Sequence, residues 1–316
     1  MPETVFMFSG QGSQYFHMGR ALYDGNGTFR EWMNRLDEVA SQAAGTSVTA
    51  VLYSGAQKKG DLFDRTLLTH PAIFMVEYSL ARCLIEAGVR PSLVLGASLG
   101  SFAAAAVAGF IDAGEALTAV IGQAKALEDC CEPGGMIAVL ADPALFVEDF
   151  LSARSELAAI NFSTHFVVSA RQADLDGIEA ALKRRAVDHQ RLPVSFPFHS
   201  QWMDRAKASF QPFMRAMGRR QGQLPLVCCQ KAAVLSELSD DYFWDVVRRP
   251  IRFRESAARV EQLGACRYID VGPAGTLATF LKYGLPTTAT STVHSILTPF
   301  GFDQKNLAAL LASVNN

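Results

Sequence analysis

Leu93-Val94-Leu95-Gly96-Ala97-Ser98-Leu99-Gly100-Ser101-Phe102-Ala103-Ala104-Ala105-Ala106 is the stretch whose reading decides the fold. The apolar run Ser92–Leu95 predicts a buried strand, and the small residues from Phe102 to Ala108 suit a helix packed tightly under a sheet. Gly96 and Gly100 bracket a sharp turn between them, a place where flanking glycines permit a strained backbone. Ser98 then sits at the C-terminal edge of a strand and at the N-terminus of a helix, where the dipole and free N–H groups favour a developing oxyanion. The five-residue pattern alone also fits a glycine-rich turn with a helix-capping serine. Its position at an independently predicted strand-to-helix turn is what points to a serine nucleophile.

Around this turn, short apolar runs bounded by Gly or Pro alternate with amphipathic stretches, the pattern of a mainly parallel sheet covered by helices. Val5-Phe6-Met7-Phe8 is the first expected strand. Phe29, Trp32, Met33, Leu36, Val39 and Ala40 have helical spacing, and Thr69-His70-Pro71 resembles a cap with proline in the first turn of a helix ending at Gly88. From Gly135 the rhythm shortens: strand Met136–Leu140, helix from Pro143, strands Leu157–Asn161 and Phe166–Ser169, helix Leu175–Arg185, strand Gln190–Val194. That order is βαββαβ, the ferredoxin-like one. Alternation resumes with Leu226-Val227-Cys228 and Tyr268-Ile269-Asp270-Val271, then Gly272-Pro273 and a last helix from Gly275. The expected fold class is α/β: a large α/β-hydrolase-like domain over residues 1–130 and 198–316, with a mainly parallel sheet, and a small ferredoxin-like α+β domain inserted at 131–197.

The 316 residues, 49% hydrophobic and 19% charged, are enough to bury a sizeable core. A formal charge of −2 with scattered charges gives no electrostatic reason to expect nucleic acid or a membrane surface as partner. Met1-Pro2-Glu3-Thr4 lacks a basic n-region, and the longest apolar stretch, Phe102 to Ile111, is about half the ~20 residues needed to span a bilayer. A cytoplasmic location is expected. Cys83, Cys130, Cys131, Cys228, Cys229 and Cys266 show no C-x-x-C spacing, so no zinc or redox site is signalled and reduced, buried thiols are expected.

A serine hydroxyl needs a base within hydrogen-bond reach. The candidates are His17, His70, His165, His189, His199 and His294. His199 stands out because Phe196-Pro197-Phe198-His199-Ser200 closes the inserted domain at a junction that can face the strand edge carrying Ser98. The other reading of His199 is a solvated histidine capping a helix that begins near Ser200.

Phe8-Ser9-Gly10-Gln11-Gly12-Ser13-Gln14, the Gly-x-Ser-x-Gly turn, Phe198-His199-Ser200 and Gly272-Pro273 stand in the order and approximate spacing of the malonyl-CoA:acyl-carrier-protein transacylase family. The chain resembles that family over nearly its whole length. The opening through Tyr15 and His70-Pro71-Ala72-Ile73-Phe74 resemble the discrete acyltransferase homologues of bacterial trans-acyltransferase polyketide pathways. The resemblance implies Ser98 as acyl-bearing nucleophile, His199 as general base and acid, and the backbone N–H groups of Gln11 and Leu99 as oxyanion hole. It further implies a Ser–His dyad whose histidine is oriented by a backbone carbonyl of the Arg248-Arg249-Pro250 segment. An acyl carrier protein is the implied partner. No metal or bound organic cofactor is expected, since the CoA or phosphopantetheine thioester enters as substrate.

Malonyl-specific members carry an arginine in the helix after the nucleophile that clamps the free carboxylate, and the matching residue here is Gln123. Lys125 is two residues on, about 200° around a helix, and points away if Gln123 points in. Burying a carboxylate without its partner costs about 3–5 kcal/mol, two to three powers of ten in discrimination. Uncharged acyl groups are therefore expected on Ser98, with Gln123, Ala97 and Phe198 as substrate-binding residues. Ala97 stands where the family usually has histidine, and Ser101 where it often has glutamate. Loss of the clamp resembles the acyl-hydrolase branch of these systems. Three outcomes stay open: hydrolysis of acyl carrier thioesters, transfer of malonyl or other acyl units, and an inactive carrier-binding scaffold.

Overall fold

A computed structural model describes residues 2–314. Its strands are β1 (Glu3–Phe8), β2 (Leu93–Gly96), β3 (Gly134–Val139), β4 (Glu156–Phe162), β5 (His165–Arg171), β6 (His189–Arg191), β7 (Leu226–Cys228), β8 (Ala233–Leu235), β9 (Cys266–Asp270) and β10 (Thr292–Ser295). Six form one sheet in the order β10-β9-β1-β2-β7-β8, parallel except for the antiparallel β8. Val5 to Phe8 are buried on both faces, as a central parallel strand between helical layers requires. Phe8 pairs with Gly96, so β1 and β2 end level and their following loops lie side by side at the carboxyl edge. In open α/β sheets this edge is where ligands bind.

The turn after β2 is shaped by lack of space. A Cβ at Gly96 would fall 2.6 Å from the Ser101 Cα, and one at Gly100 would run into the Phe8 carbonyl. Neither glycine has a positive φ; Ser98 itself does, at 55°. The glycines thus serve close approach, and the strain expected of them sits on the serine. The helix Gly100–Val107 that follows is buried through its alanines against β1 and β2.

Gly134–Arg191 supplies the second sheet, antiparallel, in the order β4-β5-β3-β6. This is the ferredoxin-like order. Its second helix spans Gln172–Arg184 and packs on β3 and β5. The helix expected from Pro143 is reduced to a 3-10 turn, Pro143–Val147, and one short helix, Asp149–Ser152. β6 stops at Arg191 rather than Val194, because the chain bends as Val194 N–H turns back to the Leu192 carbonyl. The two sheets meet at Ile251, whose carbonyl accepts from Ile160 N–H at 2.9 Å and whose N–H donates to the Ala158 carbonyl at 2.8 Å.

Two further expectations need correction. The helix around His70 begins at Thr66, so Pro71 lies inside it rather than in its first turn. The reason is tertiary: Glu128, from the helix Ala113–Cys130, accepts from Leu67 N–H at 2.7 Å and satisfies a free N-terminal donor that local sequence does not cap. The helix Thr276–Gly284 is not the last, since β10 and Asp303–Val314 follow. β10 is a partly exposed edge strand without the apolar run that marks the central ones. No helix among the described residues is long and apolar enough to cross a membrane.

Gly100→Ala is expected to lower the thermal unfolding midpoint, at a cost of about 1–3 kcal/mol for forcing a methyl into packed backbone. Gly27→Ala, at a helix start with no atom within 4 Å of the added methyl, should leave it unchanged. Equal midpoints for the two variants, read by differential scanning fluorimetry, would refute the close-approach account.

Candidate active site

Ser98 Oγ lies 2.8 Å from His199 Nε2. On the far side of the ring, His199 Nδ1 is 2.7 Å from the Arg249 carbonyl oxygen. A carbonyl only accepts, so Nδ1 carries the proton, Nε2 is the free acceptor, and the serine hydroxyl donates to it. The arrangement can take a proton from Ser98 without a carboxylate in the chain. It spans 101 residues of sequence, joining the turn after β2 to the segment after β6.

That segment is tightly held. His199 N–H donates to the Val247 carbonyl at 3.1 Å. Ser169 Oγ donates to the Phe198 carbonyl and Ser200 Oγ to the Pro197 carbonyl. His199 takes a positive φ of 60°, the second non-glycine residue of the pair to do so. Backbone strain of this kind costs about 1–3 kcal/mol and persists only where surrounding bonds over-determine it. His199 is 2% exposed, which excludes the solvated helix-capping reading. Burial, opposed by the Arg249 bond and aided by the Arg248 charge, pushes its pKa down to about 4. The imidazole is therefore neutral at pH 7.

The loop after β1 faces the same point. A Cβ on Gly10 would come 2.8 Å from the Ser98 Cβ, so the Gly10 backbone rests on the nucleophile. Gln11 Nε2 donates to Thr69 Oγ1 at 2.9 Å. Gln14 Oε1 accepts from Gly12 N–H at 2.7 Å, while Gln14 Nε2 donates to the Phe63 and Pro193 carbonyls. Among the described residues, no acceptor takes the backbone N–H of Gln11 or of Leu99.

Ser98, His199 and the Gly10-Gln11-Gly12 loop line one cavity of about 250 Å³ between the two sheets. Ala97 and Phe198 line it as well. Its walls come from β3, β4, β5, the end of β6 and the segments around Ile251 and Phe280, among them Met136, Val167, Leu192 and Phe253. No lysine, arginine, aspartate or glutamate is among the lining residues described. His165 lines it too, with its pKa lowered by burial and Nδ1 3.0 Å from the Asn161 amide.

Gln123 is not among the lining residues. It is buried on the helix Ala113–Cys130, and neither amide atom has a partner. Lys125 reaches out to the Ala43 carbonyl at 2.6 Å, so it points away from the interior as helix geometry requires. Near Phe198, His70 packs its ring 5.6 Å from the phenyl ring, with both nitrogens unpartnered and its pKa lowered by burial to about 3. The Arg249 carbonyl, Thr69 and the apolar wall residues escaped the sequence reading individually. The carbonyl has no side-chain signature, and the wall residues look like any other apolar strand positions.

The acyl transferase domain model matches residues 5–315. The chain is 42% identical over 311 residues, 98% of its length and 96% of the relative's, to the polyketide biosynthesis acyltransferase homolog BaeD of Bacillus velezensis. It is 41% identical to the homolog PksD of Bacillus subtilis, covering 96% of this chain and 94% of that one. Among solved structures, a loading acyltransferase from the avermectin modular polyketide synthase superposes with a TM-score of 0.91 at 26% identity, covering 99% of this chain and 100% of that one. The MCAT of Streptococcus pneumoniae superposes at 0.81, also at 26% identity, over 98% and 100%. With the four sequence motifs gathered at one sheet edge and relatives matched end to end, the chain belongs to the acyl transferase domain family, among the polyketide biosynthesis acyltransferase homologues.

Proposed function

We propose that this protein forms an acyl-enzyme on Ser98 from carrier-protein thioesters of polyketide biosynthesis and hydrolyses uncharged acyl groups from them. The observation that carries the reading is the hydroxyl of Ser98 hydrogen-bonded to a neutral, carbonyl-oriented His199 at the mouth of an uncharged cavity. His199 takes the Ser98 proton as Oγ attacks the thioester carbonyl carbon. The Gln11 and Leu99 N–H groups receive the oxyanion, the C–S bond breaks, and His199 returns the proton to the leaving thiolate. Water then attacks the acyl-enzyme, giving its proton to His199; the Oγ–C bond breaks, and Ser98 is reprotonated as the carboxylic acid leaves.

Among the described residues, the cavity is lined by no cation to pair with a malonyl carboxylate, and both lining histidines have lowered pKa values. An ionised carboxylate would be desolvated there without a counter-charge. Acetyl, propionyl and longer uncharged acyl groups meet no such cost. Hydrolysis rather than transfer rests on this missing clamp and its likeness to the acyl-hydrolase branch. Transfer to a second carrier thiol is the other reading, favoured by the acyltransferase homologues among the relatives. In either reading the partner is an acyl carrier protein, the reaction needs no resident cofactor, and the protein works in the cytoplasm. An inactive scaffold is disfavoured by the intact Ser98–His199 contact.

Incubation with acetyl- and malonyl-loaded carrier protein, followed by carrier mass, tests the reading. Loss of acetyl with malonyl retained is expected; rapid malonyl loading from CoA with acetyl carrier untouched would defeat it. Ser98→Ala should abolish acylation seen by intact mass, and retained turnover would mean that the nucleophile is elsewhere. Although Gln123 is not among the lining residues, the longer, charged side chain of Gln123→Arg should raise malonyl acylation relative to acetyl by at least tenfold, and an unchanged ratio would dismiss Gln123 as a determinant. A base is competent only when unprotonated. With His199 at about 4, the acylation rate should therefore stay level from pH 7 to 5 and fall as pH drops through about 4, whereas a fall centred near pH 6.5 would contradict the buried, neutral imidazole.

A further inference from the structure

The turn that carries Gln11 is anchored by a carboxyl group that the chemistry above does not use. Glu77, on the helix Thr66–Glu86, is fully buried. Its Oε1 accepts from the Ser9 backbone N–H at 2.6 Å and from Ser9 Oγ at 2.9 Å, while Oε2 has no partner. Ser9 Oγ also lies 3.2 Å from Ser13 Oγ, whose hydroxyl donates to the Gly10 carbonyl at 2.7 Å. On the remaining side, Gly272 leaves the room that Ser9 occupies, since a Cβ there would strike the Ser9 hydroxyl and come 2.9 Å from Asp270 Oδ1. Tyr15 then ties the far end of the loop to the Pro273 carbonyl at 3.0 Å. Ser9 is thus enclosed, and the residue after it rests on Ser98.

We propose that Glu77 is a positioning residue: by accepting both Ser9 donors it fixes the Ser9-Gly10-Gln11 turn and aims the Gln11 N–H at the carbonyl oxygen of an acyl group on Ser98. The inference rests on the acyl-enzyme reading for its catalytic consequence, and on the hydrogen bonds alone for its structural one. Two donors converging on one oxygen fix the turn in translation and rotation. They also make the acceptor indispensable, because removing it leaves the buried Ser9 N–H unsatisfied. Burial pushes the Glu77 pKa well up, the Ser9 bonds oppose that shift, and the nearby Asp270 adds to it. An amide offers the same oxygen at the same place, and an isosteric hydrocarbon does not.

The test compares Glu77→Gln and Glu77→Leu with the wild type, using the butyryl thioester of N-acetylcysteamine and intact mass for acylation, and hydrogen exchange of residues 9–13 for the turn. For Glu77→Leu we expect kcat to fall tenfold to a hundredfold with KM within about twofold, approaching the loss seen when an oxyanion donor is removed. Exchange in residues 9–13 should rise. Glu77→Gln should keep wild-type exchange and stay within about threefold in kcat. A folded Glu77→Leu with wild-type rate and exchange would overturn the inference, and so would a folded Glu77→Gln slowed more than tenfold. If leucine prevents folding, the glutamine variant alone decides. If the wild type takes no acyl group, the functional reading fails, while the exchange of residues 9–13 still judges the role of Glu77.

Discussion

The carboxyl ends of β1 and β2 lie so close together that their loops share one volume, and much else follows from that contact. Phe8 is level with Gly96, Gly100 rests on the Phe8 carbonyl, and Gly10 rests on Ser98. A side chain at Gly10 or Gly100 would push the loops apart, and one at Gly96 would strike the start of the helix that follows it. With the loops in contact, two polypeptide turns distant in sequence line one cavity beside the Ser98 hydroxyl. The strain of this arrangement falls on Ser98, whose positive φ is compensated by parallel strand pairing on both sides of β2. His199 carries the matching strain on the other wall and is likewise held by neighbouring backbone and serine bonds.

Charge is kept out of the site as consistently as space is. His199 has its proton placed by the Arg249 carbonyl, so no second carboxylate must be buried beside it. A backbone carbonyl orients the ring without adding a full charge, and the low pKa of the imidazole follows from burial with only partial compensation. The lining residues described are apolar or neutral, and the fully buried carboxyls of Glu77 and Asp270 near the loop are both pushed toward their neutral forms. In the proposed reaction, the negative charge that appears briefly on one oxygen would meet fixed dipoles in such a site.

Much of this was legible in the linear chain. The turn around Ser98 was readable because burial forces an apolar run, a tight turn forces glycine and a closely packed helix forces alanine, all within fourteen adjacent residues. The βαββαβ order was readable for the same reason, although the Pro143 helix shrank to little more than a 3-10 turn and β6 closed early. Where the reading failed, the missing information was non-local. The start at Thr66 depends on Glu128 from another helix, and β10 is an edge strand recruited by β9 with little apolar pattern of its own.

The sequence by itself determined the chemistry available: one serine in a strand-to-helix turn, a histidine at a domain junction and a glycine-rich loop. These are properties of residue type and spacing, and they are written locally. Only the tertiary structure decided which atoms meet. It set His199 against Ser98, named Arg249 as the carbonyl behind it, moved the role of Gly100 from flexibility to close approach, and left Gln123 off the cavity lining. It also brought Glu77 under Ser9. Each of these depends on distances between segments tens to hundreds of residues apart, and such distances are fixed by packing of the whole chain rather than by any stretch of it.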